Sequence, residues 1–347
     1  MNWALIGYGG MGHWHVNNLK TMPEDFQIAG IYDILPEKNE QAQQDGLHAY
    51  AQLEELLADK SVELVTIATP NDTHMPLAIA AMRAGKHVIC EKPVALSTAE
   101  LQSMIEVSRQ THRLLTVHQN RRWDEDFLIA KKLIRDNALG KVFNVESRVH
   151  GSRGVPGDWR NTKVHGGGMI LDWGVHLLDQ MLQLTGEAVV SVFCYTTHVT
   201  NDEVDDGFKA VLTFESGWKA TVDVGTSHFI SLPRWYVCGE NGTAIIRNWK
   251  LDGEIVKVSD WEKRDAVPVV TAAGLTKTMA PRTKETIQTY PLPHLQSDVR
   301  DFYRNVKAAA RGEAEQLVTH AQMLRVMRLM EALLESAQRN ETLQRRI

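Results

Sequence analysis

Residues Gly7-Tyr8-Gly9-Gly10-Met11-Gly12 read Gly-x-Gly-x-x-Gly directly after the apolar run 3–6, and they open a segment with helical patterning. In such a turn the first glycine permits the tight bend, the second lets backbone approach phosphate oxygens, and the third lets helix close on strand. The N-terminus of that helix then offers bare N–H groups to a pyrophosphate. Asp33 ends the next apolar run, about 20 residues on, where a carboxylate binds both hydroxyls of an adenosine ribose. The same carboxylate repels a 2′-phosphate, and Ile34-Leu35-Pro36 brings no arginine to offset it, Lys38 being the only nearby cation. The turn points to a dinucleotide, and Asp33 to NAD rather than NADP. A flavin fits less well, because its acidic residue is usually glutamate and no second flavin-like glycine motif follows.

Two further segments put polar groups where packing alone would not. Glu91-Lys92-Pro93 follows the buried-looking run 86–90, at the carboxyl edge where open parallel sheets bind ligands. A lysine there can hydrogen-bond a substrate hydroxyl; an ordinary solvated strand-end lysine fits the position equally well. The second segment runs from Gly166-Gly167-Gly168 to Asp179. As a helix it places Asp172, His176 and Asp179 on one stripe. Met169, Ile170, Leu171, Trp173, Val175, Leu177 and Leu178 make the rest apolar nearly all round, the mark of a buried helix. Buried charge needs partners, which an active-site cleft supplies. A core histidine bonded to Asp172 or Asp179 is the structural alternative. No metal is expected, since no clear set of further ligands accompanies the stripe.

These groups need a scaffold to bring them together. Up to about residue 117, short apolar runs at 3–6, 26–32, 64–68, 87–90 and 114–117 alternate with helical patterns, which predicts a parallel sheet with helices on both faces. From Val142 the pattern turns to period two. Runs 208–214 and 218–224 flank Glu215-Ser216-Gly217, and runs 235–238 and 243–247 flank Gly239-Glu240-Asn241-Gly242, predicting two hairpins of an antiparallel sheet. Helical patterns return at 295–310 and 313–338, after an irregular polar stretch at 250–293. Within it, 275–282 reads as an active-site or interface loop with no mechanism attached.

At 347 residues two domains are expected, 1–120 and 121–347, with the helices from about 295 packing back toward the first. The formal net charge of -5 argues against a nucleic-acid partner. Cys90, Cys194 and Cys238 are odd in number and widely spaced, as in a reduced protein. Apolar runs stay well below the roughly 18 residues of a membrane span. The first strand pattern begins at Met1, so no export segment is expected and the reading is a cytoplasmic protein.

Across these motifs the chain resembles, essentially end to end, the glucose-fructose oxidoreductase, inositol dehydrogenase and MocA (Gfo/Idh/MocA) family. The motifs agree in order: the glycine turn, Ala68-Thr69-Pro70-Asn71-Asp72-Thr73-His74, Gly85-Lys86-His87-Val88 leading into Glu91-Lys92-Pro93, and the glycine run with Asp172, Gly174, His176 and Asp179. The resemblance implies an α/β fold: an N-terminal Rossmann doubly wound parallel sheet, then a C-terminal α+β domain with a large, mostly antiparallel open sheet. It implies Lys92, Asp172 and His176 as the catalytic set. His176 would exchange the hydroxyl proton while hydride passes to or from nicotinamide C4, Lys92 would hold and polarise the reacting oxygen, and Asp172 would orient substrate or tune its neighbours. Thr69, Pro70, Asn71, His74, Glu91, Lys92 and either Gln119 or Asn120 would line the cofactor, although His74 alone fits a first-turn helix residue as well. The second sheet would form the substrate floor and the interface of a homodimer or homotetramer.

Arg121, Arg122, Arg153, Trp159, Arg160 and His165 lie in segments leading into the glycine run, and arginine with tryptophan suits a hydroxyl-rich ring. Asp179 is grouped with them as a substrate contact; solvated loops are the alternative. The expected function is an NAD-dependent dehydrogenase for a secondary alcohol of a sugar, cyclitol or glycoside, the last including glycoside 3-dehydrogenation. Two alternatives stand beside it. One is an enzyme that retains NAD and oxidises a sugar transiently for elimination or glycoside cleavage, as family relatives do, often with an export segment that is not seen here. The other is a non-catalytic NAD or sugar sensor, against which Lys92, Asp172 and His176 argue.

Overall fold

Apolar runs separated by helices cannot pair through tight turns, so they assemble side by side in parallel. In the computed structural model, which describes residues 1–263, 267–276 and 278–347, five of them do so. Lys277, within the 275–282 stretch, lies outside the described residues. Strands β1 (Asn2–Ile6), β2 (Gln27–Tyr32), β3 (Leu64–Ile67), β4 (His87–Cys90) and β5 (Leu115–Val117) form a parallel sheet in the order β2-β1-β3-β4-β5. Trp3, Leu5, Leu64, Val65, Val88 and Ile89 are fully buried, as expected of strands covered on both faces. The strand order reverses between β1 and β3, which opens a crevice at their carboxyl ends. There the two loops touch. A Cβ on Gly7, at φ +97°, would sit 2.5 Å from the Ala68 carbonyl oxygen, so only glycine closes the turn.

The period-two segments build the second layer. Strands β6 (Val142–His150), β7 (Val189–Thr197), β8 (Gly207–Phe214), β9 (Lys219–Gly225), β10 (Trp235–Gly239), β11 (Gly242–Ile246) and β12 (Gly253–Val258) carry it. A small exposed hairpin, β13 (Val269–Thr271) and β14 (Gly274–Thr276), stands apart, and β15 (Ile287–Tyr290) and β16 (Leu343–Gln344) complete the edges. The nine-stranded order is β15-β12-β11-β10-β6-β9-β8-β7-β16, antiparallel except for β6 with β9. Both expected hairpins are present, as β8–β9 and β10–β11. Val145, Val192, Ala210, Leu212, Ala220, Val222 and Trp235 form the buried face, against which the helices Val175–Leu184 and His320–Arg339 pack.

The C-terminal helices join the two layers. On helix Arg300–Ala310, the Tyr303 hydroxyl hydrogen-bonds His15 Nδ1 at 2.6 Å and Lys307 pairs with Asp25 at 2.8 Å. Thr319 and Gln322 cap helix His320–Arg339 reciprocally, and Glu331 of that helix accepts from the backbone N–H and hydroxyl of Thr98. All three cysteines are buried and free. Among the described residues no helix is long and apolar enough to cross a membrane.

Candidate active site

The glycine turn and helix Gly10–Lys20 meet at the crevice, where a Cβ on Gly9 or Gly10 would find open space. Asp33, just past β2, is held beside the turn: Tyr8 N–H donates to its Oδ2 at 2.6 Å and Leu35 N–H to its Oδ1 at 2.9 Å. Asn39 clamps the Asp33 backbone through both its N–H and its carbonyl. The Tyr8 ring is buried and its hydroxyl donates to Asp45, so Tyr8 offers the crevice backbone alone.

Two residues expected to line a cofactor lie beneath the crevice instead. Glu91 is buried, and its Oε1 accepts from His15 Nε2 at 2.9 Å and His118 Nδ1 at 2.7 Å. Burial would raise this carboxyl, but the two imidazoles hold it well below the usual carboxylate range. His74 is fully buried between the Pro93 and Thr69 carbonyls, at 2.8 and 3.0 Å, and burial holds its pKa down. Both therefore brace the loops above them. Asn71 braces too, donating from Nδ2 to the Gly166 carbonyl at 2.9 Å, while the Thr69 hydroxyl accepts from Thr73. Gln119 is buried at the end of β5, and its neighbour Asn120 has a buried Oδ1 with no partner.

Above this floor Lys92 meets Asp172. The ammonium donates to Asp172 Oδ1 at 2.9 Å and to the Asp172 carbonyl at 3.0 Å, and Arg160 Nε lies 3.5 Å from the same Oδ1. Burial would raise the Asp172 carboxyl; Lys92 and Arg160 outweigh it and hold the group below its ordinary value. His176 is buried with Nδ1 unpartnered. Burial first, then the charges of Lys92 and Arg121, keep its pKa well below 6.5, so the imidazole is neutral at neutral pH. The reading of a core histidine satisfied by Asp172 or Asp179 is overturned, because His176 bonds to neither. A wide π-helical turn over Ile170–Gly174 precedes the α-helix Val175–Leu184, and each aspartate takes a different cation. The glycine run makes this approach possible. A Cβ on Gly166 would lie 2.3 Å from Leu96 Cδ2, and one on Gly167 2.3 Å from the Arg160 carbonyl oxygen.

The expected substrate contacts separate into groups. Arg122 and Asp179 form a two-pronged pair at 2.7 and 2.6 Å, and Arg122 also donates to the Leu317 carbonyl and Gln322. Their charged groups bond one another. Arg121 pairs with Asp124 at 2.8 Å, and its guanidinium lies 4.3 Å from the centre of the Trp173 ring and 5.2 Å from that of Trp249. Trp173 in turn stands edge-on to His176. A cleft of about 470 Å³, lined by Trp14, Asn120, Arg121, Trp123 and Trp249 among others, opens beside this stack. Arg160 stacks on Trp159 and reaches Asp172, which places it at the site. His165 Nδ1 lies 3.1 Å from Asp72 Oδ2, and Arg153 is exposed on a loop.

A neutral buried base next to an ammonium–carboxylate pair, at the edge of a dinucleotide-type crevice, suits proton exchange with an alcohol. Residues 1–119 match the Gfo/Idh/MocA oxidoreductase model, described as an NAD-binding Rossmann fold, and residues 127–245 match a C-terminal domain model of the same family. The chain belongs to the Gfo/Idh/MocA oxidoreductase family. Within the family it is similar to the NAD-binding protein from Listeria innocua, whose crystal structure superposes with a TM-score of 0.96 at 47% identity over 99% of both chains. An uncharacterized oxidoreductase of Schizosaccharomyces pombe is 34% identical over 61% of this chain, and the match spans 59% of that relative's length. The scyllo-inositol 2-dehydrogenase (NADP(+)) of Bacillus subtilis is 27% identical over 98% of this chain and 94% of its own.

Proposed function

We propose that this oxidoreductase is an NAD-dependent dehydrogenase acting on a secondary alcohol of a sugar, cyclitol or glycoside. The observation that carries the reading is the buried, neutral His176 imidazole, which feels the charge of Lys92 and bonds no protein group among the described residues, beside the Lys92–Asp172 pair. In the oxidative direction Lys92 holds the alcohol oxygen and favours the developing alkoxide, and the His176 imidazole takes the hydroxyl proton. Asp172 fixes the ammonium from one side while Arg160 limits the charge it adds. The crevice fits a dinucleotide: Gly7 and Gly12 have no room for a Cβ, Gly9 and Gly10 leave open space, and Asp33 stands at the ribose end. Bound there, the nicotinamide supplies the hydride acceptor at C4. Gly7, Tyr8, Gly9, Gly10, Met11, Gly12, Asp33, Thr69, Pro70 and Asn120 are assigned to the cofactor. Arg121, Trp159 and Arg160 are assigned to the substrate.

The inositol dehydrogenase name of the Bacillus relative supports a polyol substrate, although that relative is named for NADP. Here the Asp33 carboxylate opposes a 2′-phosphate, so NAD is the assigned cofactor. Residues 1–120 form the cofactor unit and 121–347 the substrate and oligomerisation unit. The outer face of the large sheet, which exposes Tyr195, is assigned to a homodimer or homotetramer contact.

The test is absorbance at 340 nm with NAD+ or NADP+ and a panel of inositols, aldoses and glycosides. A rise with at least one member, faster with NAD+, is expected. Flat traces throughout the panel, with a protein shown to bind NAD+, would refute free dehydrogenase activity.

A further inference from the structure

The helical segment that carries Asp172 and His176 begins without a cap of its own. A helix start leaves its first N–H groups unpaired, and the residues before this one, Gly166-Gly167-Gly168, have no side chains to bond them. The partner comes from the large sheet. Asp205, in the connection between β7 and β8, accepts from Ile170 N–H through its carboxylate Oδ2 at 2.8 Å and from Met169 N–H through its carbonyl at 3.0 Å. The approach is close enough to dictate the neighbouring residue. Gly168 has φ +101°, and a Cβ there would lie 2.2 Å from Asp205 Oδ1.

Asp205 is itself tightly seated. The adjacent Asp206 accepts from the Thr197 hydroxyl at 2.8 Å and the Thr200 hydroxyl at 3.0 Å, and its carbonyl accepts from Thr226 N–H at 3.1 Å. Gly207 follows with no room for a Cβ against Thr197 and Val224. A further glycine, Gly174, lets the segment press on Phe208 of β8, only three positions beyond Asp205 in the chain. The segment is thus held by the sheet at its start and along its side, while Lys92 meets it from the other layer.

We propose that Asp205 is a positioning residue of this active site, setting the segment 170–184 so that Asp172 reaches Lys92 and the His176 imidazole is placed at the reacting hydroxyl. The inference rests on the dehydrogenase reading for its kinetic consequence, but not for its structural one. A cap that set only stability would change the melting temperature and leave the contact and the turnover of the folded enzyme intact.

The experiment compares Asp205→Ala with Asp205→Asn, whose amide oxygen can still accept from Ile170 N–H. In Asp205→Ala, kcat falls by about 10²-fold, the cost of a misplacement near 1 Å, while NAD+ affinity is unchanged because the glycine turn is untouched. Asp205→Asn recovers most of that loss. A crystal structure of Asp205→Ala shows Lys92 Nζ out of hydrogen-bond range of Asp172. If Asp205→Ala does not fold, Gly168→Ala perturbs the same contact from its other side and is expected to lower kcat likewise. Wild-type kcat in a folded Asp205→Ala, or an intact Lys92–Asp172 contact in its crystal structure, overturns the proposal. A wild-type protein without turnover instead overturns the dehydrogenase reading, and the crystallographic distance still decides this one.

Discussion

Lys92→Ala probes the site most sharply, because one substitution acts on stability, turnover and pH dependence through separate contacts. It deletes the donors to Asp172 Oδ1 and to the Asp172 carbonyl. Asp172, 14% exposed, then faces Arg160 Nε at 3.5 Å. Removing one member of a buried pair costs about 3–5 kcal/mol, and with Arg160 still in place the lower end, about 3 kcal/mol, is expected. Turnover loses the cation that holds the alcohol oxygen, about 10²–10⁴-fold in kcat/KM. Lys92 also depresses the His176 pKa, so its removal moves that pKa upward and carries the acid limb of the residual activity to higher pH. The glycine turn is untouched, so NAD+ affinity stays constant. Denaturant unfolding, steady-state kinetics from pH 5 to 9 and calorimetric titration with NAD+ read the effects separately. A Lys92→Ala enzyme keeping more than about a tenth of wild-type kcat/KM would refute the role given to the ammonium.

Other expectations follow from single contacts. Gly7→Ala places a methyl 2.5 Å from the Ala68 carbonyl oxygen at φ +97°, so NAD+ binding should vanish in calorimetry; a wild-type affinity would remove the turn from the cofactor site. Arg122→Ala should destabilise the fold by about 3 kcal/mol in urea, since it strands a buried Asp179, while leaving the polyol KM unchanged. A raised KM with unaltered stability would restore Arg122 to the substrate site. Burial holds His15, His74 and His176 below their unfolded value of 6.5, so below that pH the unfolded chain binds protons that the folded chain refuses. Their stabilisation is full above 6.5 and is lost as pH falls, at up to about 1.4 kcal/mol per pH unit each. Asp205, pushed up to about 7 from 3.8, works in the opposite sense, its contribution fading as pH rises through 7. His87 and His320 are lowered too, and Asp124 is raised like Asp205; the five histidines outnumber the two carboxyls, so unfolding free energy should fall from pH 7 to 5.5, and a flat or rising profile would contradict the buried-histidine reading.

The parallel sheet is legible in the sequence because its strands are buried on both faces and read as short unbroken apolar runs, each followed by a helix pattern. The hairpins β8–β9 and β10–β11 are legible from alternation and from Gly217 and Gly242 at the turns. Side-chain direction at strand ends is harder to read. Glu91 and Lys92 are adjacent, yet one turns down to His15 and His118 and the other out to Asp172, 80 residues away. Arginine beside tryptophan suits sugar binding in any sequence, but Arg122 is matched by Asp179, 57 residues distant, and only the fold reveals that partner. The π-turn at Ile170–Gly174 has the apolar pattern of an α-helix. Asp205 carries no local signal either, because a cap supplied by another element leaves no mark next to the helix it serves.

In the proposed reaction hydride leaves a carbinol carbon for the nicotinamide while His176 takes the hydroxyl proton. It is tested most directly by isotope transfer from a polyol deuterated at the oxidised carbon, in wild type and His176→Ala, with NAD+ binding verified in both. Proton NMR of the dinucleotide product should show deuterium at C4 for the wild type and almost none for His176→Ala over the same time. Reduced dinucleotide without deuterium, or equal transfer by the two proteins, would contradict the account.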